Sequence, residues 1–366
     1  MRVLPSNPTL LQVFLKPLLT KILLCCGVLT ALLEILALLD DASTILDRHL
    51  GISGLFRYIG LHLPTLIVEI MPLSVMIGGL FTLLQMALSS EIAVLRAAGL
   101  STLNMFRYLL PIPLLLGVIC MAMQLWVIPP CEQELNRWWN EGATQANATD
   151  DLHSLWFRLG TDIIHVETIS HGGRNLSKVI FYRRQAENGN LAAAQYYENL
   201  VHEGGHWINH GIARQLTVSN EQTQVQLSNE PPPPTLTASP QEIINMTLQG
   251  VYYTPHQFWK IFSGKVPSNL PRSNYLMALY ATLMLPVQMA VMLLITLPIT
   301  YIPPRAGLRN PLPVYVMAAG LGVVILQGMI SALGNSGSLP ILIAISSGQI
   351  VAALFGLAWI LRMEEK

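Results

Sequence analysis

Six stretches of this chain are apolar over runs long enough to cross a lipid bilayer, and they stand in two groups of three, one on each side of a polar interval at residues 131–272. A span of about 20 apolar residues must satisfy every backbone polar group internally, so each of these stretches has to be a helix. The spans read as Leu18–Leu39, His62–Met86, Met105–Ile128, Leu276–Ile302, Leu312–Leu333 and Leu339–Leu361. Charge follows the same partition: the polar interval holds 23 of the chain's 42 Asp, Glu, Lys and Arg residues, which marks it as water-exposed and the flanks as membrane. Three regions follow: residues 1–130 with spans one to three, 131–272 as an inserted domain with a connecting helix, and 273–366 with spans four to six.

Lysine and arginine in short connections set orientation, because translocated loops tend to lose them. Arg2, Lys16, Lys21, Arg96, Arg107, Arg305, Arg309, Arg362 and Lys366 fall on one side, against Arg48 and Arg57 on the other. Both termini are therefore expected in the cytoplasm and the large domain outside it. The first apolar run exceeds a signal peptide's core and lacks a small-residue cleavage site near Glu34–Asp41, so it is expected to remain as a membrane helix.

Inside the polar interval, short segments alternate: Leu155, Phe157 and Leu159, then Ile163–Val166, Val179–Tyr182 and Ala193–Tyr197. Gly160, Gly172, Gly173 and the run Glu187–Asn190 punctuate them. Period-two apolarity with turns at this spacing predicts an antiparallel sandwich or barrel whose inward row includes Leu155, Phe157, Leu159, Ile164 and Val166. Pro231–Pro234 suit an extended surface linker, and His256–Phe262 an amphipathic helix with Phe258, Trp259 and Phe262 at an interface. Of the four cysteines, 25, 26 and 120 fall in spans, leaving only Cys131 to the exported side and no disulfide within that domain.

Three motifs bear on chemistry. His202–His206 formally matches the zinc-protease pattern, but that chemistry needs a helix to bring two imidazoles to one face, and Gly204-Gly205 at its centre predicts a hairpin turn. No nucleotide loop occurs; Gly264-Lys265 lacks the preceding glycine and the following hydroxyl, so no ATPase site or cofactor is expected in this chain. Ser89–Gly99 reads as a compact cytoplasmic helix with a serine N-cap, Glu91 in its first turn and a glycine stop; Ile92, Leu95 and Ala98 form an apolar face for a partner's groove or for the chain's own surface. Glu34 and Glu69 are ionisable groups within spans, placed either at the outer headgroup layer or along a polar vestibule.

The layout, Pro64 and Pro72 in span two, Ser90-Glu91 and Gly99 after it, Ser154–Trp156 opening the exported domain, Leu285-Pro286 in span four and Ser338–Pro340 before span six together resemble the LptF/LptG permease family over nearly the whole chain. The start of the exported domain and the short last turn resemble the LptG branch more than LptF. The resemblance implies six transmembrane helices with an inserted periplasmic all-β, jellyroll-like domain in the bacterial inner membrane. It also implies a permease subunit of the ATP-driven lipopolysaccharide exporter, whose partners are an LptF-like permease, an LptB-like ATPase dimer that uses the ATP, and an LptC-like single-span jellyroll protein, with lipopolysaccharide as cargo and no nucleic acid. Ser90, Glu91, Ile92, Leu95, Arg96 and Gly99 match the family's ATPase-coupling helix. Glu34, Glu69, Phe157, Ile164 and Val166 are candidates for the substrate path. The chain departs from the family at Glu34, Asp40 and Asp41 and at Tyr280–Thr282, where some relatives carry basic residues. Rival readings are an LptF-type partner subunit, an energy-independent membrane scaffold for a periplasmic domain, and a zinc hydrolase resting on His202 and His206.

Overall fold

The computed structural model describes residues 8–47, 51–146, 152–185, 190–219, 224–228, 233–234, 236–246, 252–263, 266–303 and 310–364. Arg2, Arg48, Arg305, Arg309 and Lys366, counted above for orientation, lie outside the described residues, as do 187–189 of the expected turn, Pro231, Pro232 and Gly264-Lys265.

Among the described residues, six helical stretches are long and apolar enough to span a membrane, at Phe14–Asp40, Ile52–Leu88, Thr102–Trp138, Arg272–Tyr301, Leu312–Asn335 and Ile341–Met363. The first two belong to helices α1 (Pro8–Asp47) and α2 (Gly51–Leu88), of 40 and 38 residues. Short α3 (Glu91–Ala97) follows. The third span is compound: α4 (Thr102–Leu109), α5 (Pro111–Ala122), a π-helical turn at Met123–Val127 and α6 (Ile128–Ala146). The π turn sits just ahead of Pro129 and Pro130, whose missing N–H groups and ring bulk disturb the carbonyls one turn earlier.

The chain forms two compact units, one from the described parts of residues 1–41, 63–127 and 276–366, the other from those of 42–62 and 128–275. The β-containing unit is thus wider than residues 131–272, taking in the ends of three long helices.

In the helical unit, small residues let backbones approach, as expected where dispersion rather than water drives packing. A Cβ on Gly78 of α2 would lie 2.7 Å from Ile22 Cα of α1. One on Gly117 of α5 would collide with Pro286 of α9 (Arg272–Thr296), and one on Gly79 would meet Leu293 of α9 at 3.0 Å. Gly334 of α10 (Leu312–Asn335) admits Ala344 of α11 (Ile341–Glu364) and Met277 of α9. After α9 the helix tightens into a 3₁₀ turn at Leu297–Tyr301, with Pro298 near its start.

The β-containing unit is one antiparallel sheet of strands β1 (Leu152–Leu159), β2 (Asp162–Ser170), β3 (Asn175–Arg184), β4 (Leu191–Glu203), β5 (His206–Asn209), β6 (Ala213–Ser219) and β7 (Gln224–Ser228). Their order is β1-β2-β3-β4-β6-β7, and long β4 also pairs with β5. Pairing Leu155 with Val166 and Phe157 with Ile164 puts the expected row on one buried face. That face packs as a filled core with Val179, Phe181, Tyr197 and Trp207, and it is closed by Leu236, Ala238 and residues of α7 (Pro240–Asn245), including Ile243. Trp207 Nε1 donates to Ala238 O at 2.8 Å, which fixes the covering segment. Gly173, with φ +79°, is needed where α7 crowds the β2–β3 turn: a Cβ there would lie 2.6 Å from Pro240 O. The expected interfacial helix is α8 (Pro255–Phe262), started by a Thr254/Gln257 capping box; it buries Phe258 and exposes Trp259.

Candidate functional site

Helix α3 ends as its sequence expects. Gly99, at φ +85°, lets its N–H reach Arg96 O at 2.9 Å while Leu100 N–H reaches Leu95 O at 3.1 Å, a Schellman closure. Its start differs. Ser90 has φ 65° and ψ 5° and makes no side-chain capping bond, so it is not the expected N-cap; a capping residue needs an extended backbone to aim its oxygen at the first turn. Ser89 instead bonds Glu91, Oγ to Oε1 at 2.9 Å. The expected apolar face is divided in burial. Ile92 is only 3% exposed and packs into its own chain, Leu95 is half-buried, and Glu91, Ala93, Val94, Ala97 and Ala98 are exposed.

Arg96, on the last turn of α3, reaches across to the end of the fourth span. Its Nη2 donates to Thr300 Oγ1 at 3.0 Å and, at a longer 3.3 Å, to Thr102 Oγ1, and its guanidinium carbon stands 3.9 Å from the centroid of the Tyr301 ring. Thr102 Oγ1 and Tyr301 Oη are 3.0 Å apart, which closes the cluster. Thr300 and Thr102 are each 2% exposed, so the guanidinium plugs a polar spot in an otherwise apolar wall. Sequence reasoning placed Arg96 on the helix but missed this latch, since its Thr300 partner lies 204 positions away. Nearby, Lys21 of α1 donates to Phe81 O of α2 at 3.1 Å and to Gln85, tying the first two spans together.

The other candidates are dispersed. Glu34 is buried at 6% exposure, whereas Glu69 faces outward from α2. Phe157, Ile164 and Val166 lie together in the β core, at 2%, 1% and 0% exposure. His202–His206 is the β4–β5 hairpin: Glu203 pairs with His206 across Gly204 and Gly205, both at positive φ. Strand geometry there replaces the helix that zinc binding by this pattern requires. Shortly before Leu285-Pro286, Thr282 is buried and bonds Ala278 O at 2.8 Å, while Tyr280 is exposed.

Comparison with known proteins agrees with this architecture. An LptG permease of the lipopolysaccharide export system from Escherichia coli K12 is 22% identical over 181 residues, and the same protein from E. coli O6:H1 matches equally. These matches cover 50% of this chain and 50% of each relative, so the chain spans about half the length of the curated relatives it matches. A family description extends much further, over residues 12–362, taking in all six candidate spans and the sheet. With that coverage, the chain belongs to the lipopolysaccharide export system permease family LptF/LptG.

Proposed function

We propose that this protein is an LptG-type permease subunit of an ATP-driven lipopolysaccharide exporter in the bacterial inner membrane, with both termini cytoplasmic and the sheet domain periplasmic. It uses no cofactor of its own. An LptB-like ATPase dimer supplies the energy, an LptF-like permease completes the transmembrane pair, and an LptC-like single-span protein receives lipid on the periplasmic side. The observation that carries this reading is the outward face of α3, with Glu91 and Val94 exposed, joined through Arg96 to Thr300 and Tyr301. A partner moving α3 would pull on the end of a membrane helix rather than on a loose loop. Glu91, exposed at the first turn, offers a negative charge to a basic groove.

Lipid handling follows from cost. Each acyl methylene exposed to water costs about 0.8 kcal/mol, so a multi-chain lipid needs a shielded route. The inward row Phe157, Ile164 and Val166 is apolar enough to offer one once the covering segment near Leu236 and Ile243 is displaced. Affinity purification of the chain from its native membrane, followed by identification of partners and bound lipid, tests the proposal. Co-purification of an ATPase and a second permease with lipopolysaccharide supports it, and a second permease of the LptG rather than LptF type would reverse the branch assignment. A chain that purifies alone, without an ATPase, fits the scaffold reading instead.

A further inference from the structure

Where the β1–β2 turn meets the end of α8, residues 266–271 and the first turn of α9, the β-containing unit has a cavity of about 270 Å³. Its lining combines Arg158 of β1 and Arg272 of α9 with apolar groups that include Ile261, Phe262 and Tyr275. The two sides are held in place, because Arg158 N–H donates to Ser268 O at 2.8 Å and Arg158 O accepts from Ser268 N–H at 2.9 Å. Arg158 Nε donates to Gly160 O at 2.7 Å, which orients the guanidinium, and the Arg272 guanidinium lies 5.6 Å from the Phe262 ring centroid. Among the described residues no carboxylate pairs with either arginine; Asp162, in the same hairpin, is engaged by Arg184 N–H and Thr161. The sequence supplies no acid from Ile243 to Met363. Two exposed cations thus line one cavity with an apolar wall, and among the described residues no carboxylate neutralises them.

The depth of this cavity follows from chain continuity. Arg272 is the first residue of the fourth candidate span, and α8, immediately before it, exposes 74% of Trp259. Arginine and tryptophan at the end of a span belong at the headgroup layer. The start of the 25-residue helix α9 adds its positive dipole end. Guanidinium groups match phosphate oxygens in fork geometry, and a cavity below the range of about 300–1,000 Å³ typical of whole small ligands suits a headgroup whose chains stay in the bilayer.

We propose that Arg158 and Arg272 bind the phosphate group of an anionic membrane lipid, fastening the β1 edge of the sheet to the bilayer surface at the start of α9. This holds independently of which lipid the protein transports. The test places a photo-crosslinking residue at Val266, in the cavity wall, in the full chain with its co-purifying partners. The assembly is reconstituted in nanodiscs of phosphatidylcholine containing a minority of phosphatidylglycerol. Phosphatidylglycerol should be captured about tenfold above its share of the bilayer, as the loss or gain of one charge-assisted contact implies. Capture should fall about tenfold in Arg158→Gln/Arg272→Gln and fall less in Arg158→Lys/Arg272→Lys, which keep the charge without the guanidinium fork. Capture in proportion to bilayer composition, or unchanged capture in the glutamine pair, overturns the proposal. So does its loss to excess inorganic phosphate, which would make this a site for free anion. If the glutamine pair does not fold, as judged by its thermal melt, the comparison of the two lipids on the unsubstituted arginines decides alone.

Discussion

Replacing Arg96 by alanine separates coupling from catalysis if α3 transmits motion through its latch. The substitution removes the 3.0 Å bond to Thr300, a weaker one at 3.3 Å to Thr102, and the contact with the Tyr301 ring at 3.9 Å. A bond from a charged donor contributes about 1.5–3 kcal/mol, and a cation over an aromatic face about 0.5–2 kcal/mol. Because one nitrogen serves both threonines and the guanidinium is only half-buried, the sum is closer to about 2–3 kcal/mol, or about 30- to 140-fold in the ratio of latched to unlatched α3. Thr300 and Thr102 would also be left with one fewer partner in an apolar wall. The assay is ATP-dependent release of lipopolysaccharide from proteoliposomes holding the whole exporter, with hydrolysis measured in parallel. Arg96→Ala should keep most of the hydrolysis and lose at least about tenfold in lipid released per ATP, since roughly 1.4 kcal/mol of the latch suffices for that. Arg96→Lys, which keeps a charge but not the planar stack, should fall between. Normal release per ATP in the alanine variant would refute the transmission role. A fall in hydrolysis equal to the fall in release would show that Arg96 serves docking instead.

Further outcomes follow from other parts of the structure. Glu91→Lys reverses the exposed charge at the start of α3 and should weaken ATPase association on a pull-down, with no change in the thermal melt of the isolated chain; wild-type association would remove Glu91 from the interface. A photo-crosslinker at Val166 should capture lipopolysaccharide only when ATP drives the complex, while one at its outward neighbour Glu167 should not, and equal labelling at both would end the conduit reading. Gly117→Ala drives a Cβ onto the Pro286 backbone, which no side-chain rotation relieves, and should cost about 1–3 kcal/mol, visible as a lower melting temperature in detergent; an unchanged melt would mean α5 and α9 are not this close. Burial pushes the Tyr253 hydroxyl above the usual tyrosine range, so the stability it contributes is complete below about pH 10 and is lost as pH rises further through its folded value. Alkaline unfolding of the β-containing unit should be shallower in Tyr253→Phe, and identical curves would argue against this group.

Some of this molecule was legible before any coordinates because its signals are local. Apolar runs longer than the bilayer is thick leave no option but helices, and α10 begins at Leu312 as read. Alternation from Leu155 to Leu159 and Ile163 to Val166 sorts residues to two faces within a strand, so the buried row followed directly. Two glycines between His202 and His206 were enough to turn a metalloprotease pattern into a hairpin. What the tertiary structure decided depends on positions far apart in the chain, which leave no periodic trace. Ile92 is buried against the rest of its own chain, and Ser90 takes a left-handed backbone where α2 passes into α3. Arg96 finds Thr300 and Tyr301 only when the end of the fourth span is brought beside α3, and the β row is closed only by a segment beginning at Leu236. Local steric and solvation preferences dictate which elements form; the pairing of their surfaces is a global free-energy minimum, and a latch or a filled core is a property of that minimum alone.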